Sequence, residues 1–327
     1  MAVIDMGFHK KTKSFDFVKN ILSDTFEMDY FYDDSLEWGA IDTSYINKDY
    51  EFHLYLQVLP SFFDLYKIRN KKIIFVPMYD WVVLNPLAWQ HYKWFNIKII
   101  CFSKKLYSFL KKEWFDCLYV QYFLPPLEYT IDYQLKNIFF WYRWGISFDE
   151  LKCFLWTQKI DQLTIKNIPD PWCQKLVISD ADIKKYNIKF LDTFFDTHKE
   201  QYDFLAKHNI FISPRKKEWI GMTFLESMSL GQCVVAYDDG TMNEYLSDWV
   251  NWILTRFDKQ IDLDHFMDIG LRAKQQYVVD YKAWIENKKT IVPYIDWVYS
   301  SVTKIRLSHG FCYMLIAFRR YLLTLKK

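Results

Sequence analysis

Glu218 and Glu226, with seven residues between them, flank the step Ile220-Gly221-Met222, and three cations, Arg215, Lys216 and Lys217, precede the first of them. A carboxylate accepts paired hydrogen bonds from hydroxyls, and Lys and Arg hold phosphates. The combination suits a ligand that is hydroxylated at one end and anionic at the other. Each part has a plainer alternative. The cation run also reads as a solvated surface. Thr223-Phe224-Leu225-Glu226 fits the capping-box pattern, so Glu226 reads as a helix cap or as a ligand. The same pattern recurs at Ser147–Glu150 and Thr241–Glu244.

The elements around these residues place them. Residues 211–254 read as strand, charged loop, helix, glycine, strand, acidic turn and helix. Strand Ile210–Ser213 delivers the cations to its carboxyl end, and in an open α/β sheet that edge binds ligands. Gly221 precedes a helix Met222–Leu230, and Gly231 ends it. The free amides of Met222 and Thr223 at its start make an anion site. After strand Cys233–Ala236 the turn Gly240-Thr241-Met242 opens a second helix start, fit for the other half of a diphosphate sugar. In the N-terminal half, Gly7 follows strand Ala2–Met6, and His9 can reach a ligand there; a plain strand–helix turn is the alternative. Asp80 follows strand Lys71–Met78 and reads as a general base or as an Asx turn. Arg143 ends strand Asn137–Tyr142, where it can stabilise a leaving diphosphate. Asp180 and Asp182 form a D-x-D pair, a candidate metal–nucleotide ligand, after the strand-like run Lys175–Ile178. No P-loop, dinucleotide fingerprint, zincin helix or nucleophile elbow is present.

Short apolar strands alternate with helices along the 327 residues, and the pattern restarts after Pro125-Pro126. This predicts an α/β protein of two Rossmann-like parallel-sheet domains facing a central cleft. The expected division is 1–130, then 131–285, then C-terminal helices 286–327 packing back on the first domain. Residues 301–327 carry six cations and no acid at helical spacing. They read as a basic amphipathic helix for an anionic membrane surface, or as a helix packed on the body. A net charge of +2 removes a global nucleic-acid field. The six cysteines lack paired spacing and read as free thiols of a reducing compartment. With no leader or membrane span apparent, the expected location is the cytoplasm, with the inner face of the plasma membrane as a peripheral site.

Ser213-Pro214-Arg215, Glu218-Trp219-Ile220-Gly221, Leu225-Glu226-Ser227-Met228, Gly231 and Val234-Val235-Ala236 together resemble the donor-binding segment of retaining nucleotide-sugar glycosyltransferases of the GT-B fold, family-4 type. The resemblance implies that Glu218 binds hydroxyls of the donor sugar and Glu226 the ribose. It implies that Arg143 and one of Arg215, Lys216 and Lys217 hold the diphosphate, and that Thr197 and His198 lie near the base. The acceptor would enter near His9 and Asp80. The sequence departs from the family at Trp219 and Thr241, where the family has glycines. The lysine that follows the family's arginine has Lys152 as its nearest counterpart. The implied activity is metal-independent transfer of a sugar to a glycan or lipid-linked acceptor in cell-envelope polysaccharide synthesis, with no cofactor beyond the substrate. The alternatives are an inactive GT-B subunit of an assembly complex and a metal-dependent transferase using Asp180 and Asp182.

Overall fold

The computed structural model describes residues 1–35, 39–79, 86–143, 145–169, 173–238, 242–245, 248 and 250–296. Asp80, Gly240, Thr241 and the basic tail 301–327 lie outside the described residues. The chain divides into two compact units. The first holds Met1–Phe102, Leu106–Val120 and, of the described residues, 287–296; the second holds Ser103–Lys105 and Gln121–Glu286.

The first unit runs β1 (Ala2–Met6), α1 (His9–Thr12), α2 (Asp16–Ser23), β2 (Asp29–Asp33), β3 (Phe52–Leu56), α3 (Phe62–Lys67), β4 (Lys72–Val76), β5 (Ile97–Cys101), α4 (Lys104–Lys112) and β6 (Cys117–Tyr119). These strands form one sheet in the order β2-β1-β3-β4-β5-β6, every pair parallel. A parallel sheet is covered on both faces, so its strands are apolar without alternation. Val3, Ile4, Leu54, Ile74, Val76, Ile99 and Ile100 are all buried. Helix α2 turns Val18 and Leu22 onto this sheet, and α4 turns Leu106 and Leu110.

The second unit runs β7 (Asn137–Trp141), α5 (Phe148–Leu155), β8 (Gln162–Lys166), α6 (Asp180–Lys185), β9 (Ile188–Leu191), α7 (His198–Leu205), β10 (Ile210–Ile212), α8 (Met222–Leu230), β11 (Cys233–Tyr237), β12 (Ile253–Thr255) and α9 (Phe266–Asn287). Its sheet order is β12-β11-β10-β7-β8-β9, again all parallel. The chain steps from β7 through β8 to β9 on one side, then returns to β10 on the other, so β7 and β10 bound the topological switch point. One face packs Ile138, Phe140, Ile165 and Ile212 with Leu151, Phe154, Phe266 and Ile269 from α5 and α9. The opposite face carries α7 and α8, with Phe139 against Phe204 at 5.2 Å and Phe211 at 5.6 Å. Helix α10 (Ile291–Ile295) belongs to the first unit, where Tyr294 donates to Asp116 at 3.1 Å and Lys72 pairs with Asp296 at 3.0 Å.

One expectation for this unit fails. Lys175–Ile178 is not a strand. Asn167 bonds both the amide and the carbonyl of Leu176 at 2.8 and 3.0 Å, which holds the segment off the sheet, and Val177 is 91% exposed. The edge strand is β9 instead, whose alternating Ile188-Lys189-Phe190-Leu191 follows the short helix α6. Among the described residues no helix is long and apolar enough to cross a membrane. The described cysteines are free thiols.

Candidate functional site

The switch point of the second sheet is built from two loops in contact. After β7 the chain carries Arg143 and then Gly145, which has φ +147°. A Cβ there would sit 3.0 Å from the Arg215 Cα and from the Pro214 carbonyl oxygen. Only glycine accepts that φ and that approach together. The loop after β10 is anchored further by Lys216, whose Nζ is 2.6 Å from Glu150 Oε1. Glu150 itself completes the capping box of α5 with Ser147. The Arg143 loop and the Arg215 loop therefore lie side by side at the carboxyl edge. Lys216 is held by a carboxylate and braces the loop, while Lys217 is exposed. Glu218 lies 3.7 Å from Arg215 Nη1 and remains partly exposed, and it packs against Gly221.

Gly221 is the N-cap of α8 with φ +66°, and no side chain caps this helix start. Met222 and Thr223 are its first residues. The capping-box alternative for Glu226 fails because the N-cap is Gly221, two residues before Thr223, which already lies inside the helix. Glu226 instead projects from the middle of α8, nearly buried at 4% exposure. Its Oε2 accepts from Gln201 Nε2 of α7 at 2.5 Å. Burial pushes its carboxyl up to about 7, against the lowering effects of Gln201, Lys166 and Thr223.

Lys166 ends β8 directly beside Trp141, its register partner on β7. It is 5% exposed. Its Nζ lies 4.0 Å from the Trp141 ring centroid, 4.4 Å from Phe194 and 5.4 Å from Phe195. Burial pulls its ammonium down to about 8, with Glu226 opposing that shift and Arg143 adding to it. Arg143 lies against the same Trp141 ring at 4.9 Å. A nearly buried carboxyl and a nearly buried lysine thus act on each other electrostatically at the sheet edge, and Arg143 acts on the same lysine.

The other sequence candidates stand elsewhere. Thr197 caps α7 in a reciprocal box with Glu200, and His198 opens that helix and stacks near Tyr202 at 5.9 Å. Met242 is buried at the start of a 3-10 turn, Met242–Glu244. Asp180 and Asp182 form the first turn of α6; Asp182 accepts from the Ser179 hydroxyl at 2.9 Å and lies 3.6 Å from Lys152. Lys152 also pairs with Asp149 at 2.9 Å, so it serves the outer surface of α5. In the first unit, the Gly7 amide donates to the Asp33 carbonyl at 2.9 Å. His9 is fully buried, its Nδ1 2.5 Å from Asp5, whose other oxygen pairs with Lys19 at 2.8 Å. Among the described residues no group of three or more His, Cys, Asp or Glu side chains could hold a metal ion.

Lys166, Trp141, Phe194 and Gln201 were not singled out by sequence reasoning. A lysine closing the apolar strand run Leu163-Thr164-Ile165 was the available signal, since a strand end at the carboxyl edge is where functional side chains stand.

The fold defined by these two parallel sheets is GT-B. Residues 179–268, from the start of α6 into α9, match the family model of glycosyl transferases group 1. The structure of Anabaena HepE in complex with UDP and glucose superposes with a TM-score of 0.60 at 10% identity, covering 89% of this chain and 98% of that one. Sucrose-phosphate synthase from Thermosynechococcus elongatus gives 0.56 at 12% identity, covering 98% and 100%. The lipopolysaccharide outer core galactosyltransferase WaaB gives 0.50 at 12% identity, covering 88% and 99%. A search of curated proteins by sequence finds no match.

Proposed function

We propose that the chain is a glycosyltransferase that moves a sugar from a nucleotide-diphosphate sugar to a glycan or lipid-linked acceptor, with retention of configuration and without a metal. The observation that carries this reading is Glu226, a nearly buried carboxylate facing Lys166 at the edge of the second sheet, inside the segment that matches the group 1 family. A carboxylate in that position accepts from the vicinal hydroxyls of a ribose. Arg143 and Arg215, on touching loops, and the uncapped start of α8 hold the diphosphate. Glu218 faces the sugar hydroxyls, and Thr197 and His198 border the base. The donor's anomeric C–O bond breaks toward an oxocarbenium-like state while negative charge grows on the departing diphosphate. The two arginines and the helix start stabilise that charge without rearranging. Asp80 is assigned to the acceptor side, with His9, fully buried against Asp5, bracing the loop after β1 there; the tail 301–327 is assigned to an anionic membrane surface, and the pathway to cell-envelope polysaccharide synthesis.

A thermal-shift screen of nucleotide sugars tests the reading. One donor should stabilise the protein, and Arg215→Ala and Glu226→Ala should abolish that shift while keeping the fold. The reading is lost if no nucleotide or nucleotide sugar shifts the unmodified protein, or if the two variants respond as it does.

A further inference from the structure

We propose that helix α4 docks on an anionic lipid bilayer, with the Trp114 indole inserted among the headgroups and the lysines of the helix facing the lipid phosphates. The inference does not depend on the donor site, and it concerns a different part of the chain from the tail 301–327.

Trp114 is the most exposed aromatic side chain among the described residues, at 91%. Its backbone is as unusual as its exposure. Helix α4 ends in a Schellman motif, in which the Phe115 amide donates to the Leu110 carbonyl at 3.1 Å and the Trp114 amide to the Lys111 carbonyl at 3.0 Å. Trp114 therefore holds the left-handed position of the motif, φ +63°, where glycine is the usual residue. A tryptophan there strains the backbone and leaves a large apolar ring in water. Folding offsets neither, because the ring stays almost wholly exposed. Such a residue points to a surface outside the chain that takes up the ring.

The charges beside it say which surface. The exposed residues of α4 are Lys104, Lys105, Ser108, Phe109, Lys111 and Lys112. Four are lysines and none is acidic, so the outer face of the helix is cationic, while Leu106 and Leu110 are buried on the inner one. The next acids along the chain, Glu113 and Asp116, are paired with Lys93 at 3.5 Å and with Lys98 at 2.6 Å. They leave the cationic face uncompensated. Lysines beside an exposed tryptophan match the headgroup layer of an anionic bilayer, where indole rings favour the interface and each lysine near the surface is drawn to the lipid charge. Interfaces between proteins are depleted in lysine, so a protein partner fits this face less well.

Sedimentation of the full chain with vesicles of phosphatidylcholine, alone or mixed with phosphatidylglycerol, tests this, using Trp114→Gly and the double variant Lys111→Ala/Lys112→Ala. The unmodified protein should partition onto the mixed vesicles at least about tenfold more strongly than onto phosphatidylcholine, and added salt should remove most of the difference. Trp114→Gly should lose about tenfold in partitioning, while its melting temperature holds or rises because glycine accepts the left-handed backbone. The double variant should lose about tenfold to thirtyfold on the mixed vesicles and little on phosphatidylcholine. Full partitioning in either variant overturns the inference and leaves the tail 301–327 as the membrane contact. Equal partitioning onto the two kinds of vesicle, or none by the unmodified protein, also overturns it. No outcome touches the nucleotide-sugar reading, which the donor screen tests separately.

Discussion

Replacing Glu226 by Gln probes this buried charge directly. The folded protein holds this carboxyl near 7 because burial disfavours its anion, whereas the unfolded chain titrates it near 4.5. The folded state therefore binds the proton more tightly. Glu226 costs nothing below pH 4.5, begins to cost stability as pH rises through 4.5, and reaches its full cost above pH 7. A difference of roughly 2.5 units is worth about 3 kcal/mol at 1.36 kcal/mol per unit, and most of it accrues between pH 5 and pH 8. Gln keeps the shape and the contact with Gln201 and does not ionise. The variant's melting temperature relative to the unmodified protein should thus climb between pH 5 and pH 8. At about 2 to 4 °C per kcal/mol for a unit of this size, the climb is roughly 5 to 10 °C. Part is returned because Lys166 loses the field of Glu226, so the lower figure is the firmer one. Differential scanning calorimetry of both proteins across that range reads the effect, and titrations elsewhere in the chain cancel in the difference. A gap that stays flat with pH, or narrows, refutes the placement of an ionisable buried carboxylate at this site.

Other perturbations separate binding from folding. Arg143→Ala and Arg215→Ala should each weaken nucleoside-diphosphate binding about tenfold or more by titration calorimetry, since each removes a charged donor. Lys216→Ala breaks a partly exposed pair with Glu150 and should change stability by less than about 1 kcal/mol in urea titration. A Cβ at Gly270 of α9 would lie 2.0 Å from the Gly231 carbonyl oxygen, so Gly270→Ala should lower stability by about 1 to 3 kcal/mol or more, read from the denaturation midpoint. Burial pulls His208, bonded to Thr164 at 2.9 Å, down to about 4. The unfolded chain then binds that proton first, and the contribution of His208 is lost as pH falls from 6.5 toward 4. His208→Gln should flatten that part of the acid limb in pH-dependent melting curves.

The alternation of short apolar strands with amphipathic helices specifies two parallel sheets by local chemistry alone, because a strand covered on both faces needs unbroken runs such as Ile73-Ile74-Phe75-Val76. Gly221 and Gly231 mark the ends of α8 for equally local reasons, since both take positive φ. The pairing of Arg215 with the Glu218 carboxylate is likewise visible within one short stretch. Local rules misjudge residues whose partners are distant. Thr223 to Glu226 has the letters of a capping box, as Ser147 to Glu150 does, yet only the latter forms one, because Glu226 is claimed by Gln201 of another helix. Leu176 is apolar enough for a strand, but Asn167 ties it down before it can pair. Lys166 is the clearest case. Its identity is written in the chain, but its meeting with Trp141, Arg143 and Glu226 requires the parallel register of β7 and β8 and the packing of α8 on the same face. Register and packing join residues far apart along the chain, and no short-range pattern encodes which charges will be buried together.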